Sequence, residues 1–154
     1  MIDPNIRPSF ITDEARYRDR LTRMLSRADI VKISDEDMDW LGTTPSELLT
    51  GGSLLVLVTR GADGVDMVSR EGTKSVPARK VTVVDTVGAG DTFMSALLVA
   101  LDRKGHLGAG VAGLSGISAA DLEECIDFAL TCAAITVSRV GANPPTQAEL
   151  GSTE

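Results

Sequence analysis

The chain has 154 residues, which is one domain's length. Its 43% hydrophobic and 24% charged residues exclude a disordered protein. With 15 basic and 22 acidic residues the formal net charge is −7, which disfavours nucleic acid and anionic membrane surfaces as partners.

Taken in chain order, the pattern alternates helix and strand. Thr12 and Asp13 open a helix on which Tyr17, Leu21, Met24, Leu25 and Ala28 recur at helical spacing. Asp29–Ile33 reads as a short strand, and Ser34–Leu41 as a short helix or turn stopped by Gly42. Thr44, Pro45 and Glu47 supply a cap, a first-turn proline and a first-turn acid for the next helix. Leu54–Thr59 is a continuous apolar run suited to a strand buried on both faces. No hydrophobic run in the chain comes near the roughly 20 residues of a membrane span. No signal peptide opens the chain, so the cytoplasm is the expected compartment. Arg60–Gly64 is a turn, Val65–Ser69 a returning strand, Glu71-Gly72 another turn, and Val81–Asp85 a further strand.

Two longer helices follow. Phe93, Ala96, Leu97, Ala100 and Leu101 make the stripe of the first, and Gly105 stops it. Ser118 and Asp121 resemble a capping box for the second. Its stripe is Leu122, Cys125, Ile126, Ala129, Ala133 and Val137, and Gly141 ends it. Cys125 and Cys132 lie about 10 Å apart along this helix, beyond the roughly 7 Å reach of a disulfide, and read as small buried hydrophobes. Two cysteines and the single His106 cannot assemble a zinc site. The glycine-rich loop after Gly105 has little periodicity and is expected to be mobile, and residues 147–154 to form a loose tail. The whole argues an α/β layered domain over residues 1–146 with a mostly parallel sheet.

Chemistry concentrates in Val83–Leu98, VVDTVGAGDTFMSALL. Gly88 and Gly90 allow a tight turn with bare N–H groups at a helix N-terminus, which favours an anion such as phosphate. Asp91 stands at the mouth of that anion hole. It reads either as a helix cap or as a base that takes a proton from an alcohol while the backbone holds a phosphoryl group. The loop is not a Walker motif, because no Gly-Lys-Ser/Thr follows. It lacks the third glycine of the dinucleotide fingerprint, which weakens an oxidoreductase reading.

DTVGAGDTF (Asp85–Phe93) resembles the C-terminal signature of the PfkB/ribokinase-type sugar kinases. DPNIRP (Asp3–Pro8), ADIVKISDEDMDWLG (Ala28–Gly42), LVTRGADG (Leu57–Gly64) and AAITVSRVGANPPT (Ala133–Thr146) resemble further family segments in order, most closely those of fructokinase-like members. The resemblance implies the C-terminal half of a three-layer, ribokinase-like (Rossmann-like) fold with an incomplete sheet. It implies ATP-dependent phosphorylation of a sugar's primary hydroxyl, fructose to fructose 6-phosphate, with a ketodeoxygluconate kinase or ribokinase relative close behind. Asp91 would be the base, and the amides of Gly88, Ala89 and Gly90 the anion hole. Ser34, Thr59, Arg60, Gly61, Gly64, Gly90 and Asp91 would line the ATP site. Asp85 and the carbonyl of Val87, with carbonyls near Val140 and Ala142 and with Thr146, would hold a potassium ion. Asp37 would serve Mg2+, in the run Ser34-Asp35-Glu36-Asp37 that replaces the family's Asn-x-x-Glu. The adenine-side asparagine of ribokinase-like members is missing near Leu130 and Thr131. A half-length chain would expose a strand edge. That implies self-association, need of the N-terminal sugar-binding half, or a nucleotide-binding fragment without catalysis.

Overall fold

The computed structural model describes residues 1–108 and 111–151. They form two compact units, Met1–Ser75 and Val76–Glu154.

The first unit opens with an irregular segment that pairs Ile2 in parallel with Val31. Helix α1 (Glu14–Leu25) starts where the sequence predicts it, with the Asp13 side chain accepting the Arg16 N–H. Strand β1 (Ile30–Ser34) leads into α2 (Asp35–Leu41), which ends at the left-handed Gly42. Helix α3 (Pro45–Thr50) carries the full capping box between Thr44 and Glu47. Strands β2 (Leu55–Thr59), β3 (Val65–Ser69) and β4 (Gly72–Val76) complete a sheet of order β1-β2-β3-β4. Strands β1 and β2 are parallel, with Ser34 opposite Thr59, whereas β2 and β3 are antiparallel. The sheet is therefore mixed rather than mostly parallel. The five-residue turn Arg60–Gly64 is too short for a crossover and can only return the chain alongside β2. The sequence reading missed β4, whose residues are mostly exposed and lack an apolar signal. Leu21, Leu25, Val31, Ile33, Val56 and Val58 form the core of this unit with Ile6. Met24, assigned to the helix stripe, is half exposed.

In the second unit α4 (Ala89–Arg103) and α6 (Ala119–Val137) pack through Phe93, Leu97, Leu101, Cys125, Ile126 and Ala129, all buried. Both cysteines are free and buried, as the spacing predicts. Ser118 caps α6, but the Asp121 carboxylate takes its hydroxyl rather than its backbone N–H, so the box is half formed. Two short helices occupy segments read as coil. One is α5 (Val111–Ser115), in the glycine-rich loop whose residues 109 and 110 lie outside the described ones. The other is α7 (Gln147–Leu150), which has a complete Thr146–Glu149 capping box; residues 152–154 of the expected tail are not among those described. Val81–Asp85 is not a strand. It has valines enough, but a strand exists only as part of a ladder, and no described strand lies beside it. No helix among the described residues is long and apolar enough to cross a membrane.

Candidate functional site

In the second unit the loop Asp85–Gly88 feeds α4 without a capping side chain. Gly88 is the N-cap, with φ +78°. A Cβ there would stand 2.8 Å from that of Ala142, so the close approach of the two loops requires glycine. The Ala89 N–H turns back to Thr86 at 3.3 Å, and the Gly88 carbonyl accepts the Thr92 N–H. The amides of Gly88, Gly90 and Asp91 have no acceptor among the described residues. The bare donors at this helix N-terminus are thus Gly88, Gly90 and Asp91, with Ala89 engaged locally. Their partial positive charge, added to the dipole of a 15-residue helix, fits a phosphate group.

The Asp91 side chain is exposed beside these donors, on the third residue of α4. It lines a cleft of about 420 Å³ together with Ser95, Val99, Arg103, Phe128 and Pro145. A carboxylate exposed in a mostly apolar cleft beside unpaired amides can accept a proton from a hydroxyl held there.

Behind the loop, Asp85 uses both carboxylate oxygens. Oδ1 accepts the Val87 N–H at 3.0 Å and Oδ2 the Gly141 N–H at 2.9 Å. These bonds, Val87 first, hold its pKa below the usual carboxylate value. Val84 and Asp85 both donate to the Val137 carbonyl at the end of α6. Buried hydroxyls of Thr92 and Thr136 meet at 3.1 Å, and Thr136 also lies 3.1 Å from the Cys132 carbonyl. The sequence reading missed Thr92, Thr136 and the Gly141 amide. A polar residue recurring within an apolar helix stripe was the signal available for Thr136.

In the first unit Ser34 and Thr59 lie opposite each other at the carboxyl ends of the parallel strands, the edge at which α/β sheets bind ligands. Ser34 caps α2 through the Asp37 N–H at 3.0 Å. Thr59 lies 3.4 Å from the Ile33 carbonyl. The turn is closed by the Arg60 N–H on Gly64 at 2.9 Å, with Gly61 and Gly64 both at positive φ. The Arg60 guanidinium is drawn onto Asp66 at 2.7 Å, which raises its own pKa. Asp66 is lowered first by the Ser75 hydroxyl and then by Arg60. Asp37 is buried, and its Oδ1 accepts the Ile6 N–H at 3.0 Å. Its carboxylate faces inward to hold the segment before α1 and does not fit a solvent-accessible magnesium site. No group of three or more His, Cys, Asp or Glu residues among those described is arranged to hold a metal.

A parallel strand pair ending in hydroxyls and a glycine turn, and a glycine-capped helix with bare amides beside a carboxylate, define a ribokinase-like α/β protein. The chain aligns with a double-mutant fructokinase from Vibrio cholerae O395, solved bound to fructose, ADP and potassium ion, with TM-score 0.79 and 28% identity. That alignment covers 97% of this chain and 48% of the other. It also aligns with aminoimidazole riboside kinase from Salmonella enterica, complexed with aminoimidazole riboside and an ATP analog, with TM-score 0.77 and 30% identity, over 91% of this chain and 46% of that one. A fructokinase from Rhizobium leguminosarum bv. trifolii is 45% identical over 106 residues, 65% of this chain and 32% of the relative. The chain belongs to the pfkB family of carbohydrate kinases, which it matches over residues 1–149. It spans about half the length, or less, of these three relatives.

Proposed function

We propose that the chain provides the phosphoryl-handling half of an ATP-dependent sugar kinase whose acceptor is the primary hydroxyl of fructose. The observation that carries the reading is the exposed Asp91 carboxylate beside the unpaired amides of Gly88, Gly90 and Asp91. Asp91 accepts the hydroxyl proton as the sugar oxygen attacks the γ-phosphorus. The β–γ bridging P–O bond breaks, and ADP leaves with its electron pair. The bare amides stabilise negative charge on the transferring group through that step. Ser34, Thr59, Arg60, Gly61 and Gly64 are the first unit's own candidates for nucleotide contacts.

For a monovalent cation the donor set fits. The Asp85 carboxylate keeps lone pairs beyond its two N–H bonds, and the carbonyls of Val87, Val140 and Ala142 accept no hydrogen bond among the described residues. Such an ion would supply positive charge behind the anion hole. The Thr146 hydroxyl is committed to capping α7 and stays outside that set.

A second reading is a nucleotide-binding chain without catalysis. A coupled assay with fructose and ATP, run beside calorimetric titration of ATP, separates the two. On the first reading Asp91→Asn lowers kcat by about 10²–10⁴-fold and leaves ATP affinity unchanged. Turnover that survives Asp91→Asn refutes the base assignment. ATP binding with no turnover that persists when the sugar-binding half of a relative is supplied establishes the second reading.

A further inference from the structure

The motif DPNIRP, residues 3–8, carries two polar side chains that the proposed phosphoryl transfer does not use. Its Asn5 and Arg7 line a cleft of about 430 Å³ in the first unit, together with Phe10, Asp13, Arg16, Tyr17 and Arg20. Arg7 gives one N–H to the Ile6 carbonyl at 3.0 Å, and the guanidinium groups of Arg16 and Arg20 have no partner among the described residues. The acids of α1 are spent elsewhere. Glu14 pairs with Arg18 at 2.7 Å and Asp19 with Arg23 at 2.8 Å. Asp13, the carboxylate lining the cleft, caps the helix through the Arg16 N–H. This arrangement works against the helix. Arg16 stands in the first turn of α1, where the dipole disfavours positive charge, and Arg20 follows one turn later as a like charge on the same face. A chain with 22 acidic residues thus leaves a positive cleft uncompensated, and broken local rules of this kind concentrate at functional sites.

The backbone that carries Asn5 and Arg7 is fixed in place. Asn5 has φ +43° and is the one non-glycine residue at positive φ among those described. Its N–H donates to Asp3 Oδ1 at 3.2 Å, and Asp3 Oδ2 accepts from Lys32 Nζ at 2.7 Å in a nearly buried ion pair. Desolvating such a pair is costly, and here it holds a left-handed turn at the rim of the cleft. The next residue, Ile6, is tied to Asp37.

We propose that this cleft is a binding site for a phosphate dianion, free or carried by a small sugar phosphate, distinct from the anion hole at α4. Three guanidinium charges against one carboxylate leave about two to be matched, the charge of a phosphomonoester near neutral pH. Arginine's planar fork engages two phosphate oxygens at once. The cleft is larger than a bare ion needs, and Tyr17 and Phe10 add apolar surface for an organic body. The proposal does not rest on the kinase reading.

The test titrates the full chain with fructose 6-phosphate, inorganic phosphate and fructose at low salt, followed by amide NMR shifts. Fructose 6-phosphate is expected to move the amides of Asn5, Arg7, Arg16 and Tyr17, with an affinity that falls as salt is added, whereas fructose leaves them unmoved. Arg16→Gln combined with Arg20→Gln weakens binding at least about tenfold. Arg20→Glu abolishes binding yet melts no lower than the wild type, because it gives Arg16 an opposite charge as neighbour; loss of binding is then not loss of fold. Asp91→Asn leaves these shifts in place. Inorganic phosphate binding as tightly as the sugar phosphate upholds the site with the free ion as its occupant, and weaker binding upholds it with the ester. No shift at these amides, shifts confined to residues 88–91, equal shifts with fructose, or an affinity unmoved by the arginine variants each overturns it.

Discussion

The Gly141 N–H donates to the Oδ2 of Asp85 at 2.9 Å, across 56 positions of sequence. The other carboxylate oxygen takes the Val87 N–H, so one side chain joins the loop leaving α6 to the loop entering α4. Asp85→Ala is expected to release both amides, seen as faster hydrogen exchange at Val87 and Gly141. Asp85→Asn, with one oxygen left to accept, releases only one of them. The pH dependence has a definite sign. The pKa is lowered in the folded state, so the stabilisation is complete above the ordinary carboxylate range and fades as pH falls through the lowered value. The difference in melting temperature between wild type and Asp85→Ala should therefore shrink in acid. A constant difference would assign the effect to packing instead.

Thr136 has no solvent exposure and a single hydroxyl proton to give. Donation to the Cys132 carbonyl leaves its oxygen free to accept from Thr92, and the chain of three groups is then satisfied. Thr136→Val, nearly the same shape, strands the Thr92 hydroxyl at the first turn of α4. The expected cost is about 1–3 kcal/mol in denaturant unfolding, with Thr136→Ser recovering most of it. Equal stability of Val and Ser variants would show that the hydroxyl pair is inert.

Elements whose signal is local were legible in the sequence. The caps at Asp13, Thr44 and Ser118, the apolar stripe of α4 and the first half of that of α6 were read correctly, because a helix closes its own hydrogen bonds. Further along α6, Ala133 and Val137 are only part-buried, and Leu130, Cys132, Ala134 and Thr136 are buried instead. Strand identity is a property of pairs, and there the reading failed in both directions. Thr73–Ser75 pair although their sequence is polar, and Val81–Asp85 remain unpaired although their sequence is apolar. The cradle was legible as a glycine pair ahead of an acid. Which amides it presents was not, since Ala89 is withdrawn only by its hydrogen bond to Thr86. The inward turn of Asp37 was equally hidden, because its partner, Ile6, lies 31 positions away.

That Asp37 contact yields its own prediction. Ile6 is buried, and its N–H has the Asp37 carboxylate as acceptor. Asp37→Ala orphans this donor and is expected to destabilise the first unit by about 1–3 kcal/mol. Asp37→Asn keeps an oxygen in place and should lose less than half of that. Magnesium titration should show no change in affinity between the two variants. A magnesium affinity that falls with Asp37→Asn would restore the metal role that the inward orientation argues against.

Glu149 makes the sharpest pH prediction. It accepts the Thr146 backbone N–H at 2.7 Å, pairs with Arg139 at 2.5 Å and meets the Thr146 hydroxyl at 2.9 Å. These contacts, the backbone bond first, lower its pKa to about 2. A depressed carboxylate stabilises the folded form above its unfolded pKa and loses that contribution as pH falls through the folded one. The α7 amides should thus keep their protection at about pH 5 and lose it progressively toward pH 2. Carboxyl chemical shifts followed by NMR give the titration directly. Thr146→Ala removes the hydroxyl but not the backbone donor, so it should raise the Glu149 pKa only part of the way. Arg139→Gln should act similarly and also reduce the salt dependence, because an exposed ion pair is screened by added salt. A Glu149 that titrates in the ordinary range in the wild-type chain would mean that α7, whose Gln147 and Leu150 also line the cleft beside Asp91, is not capped in solution.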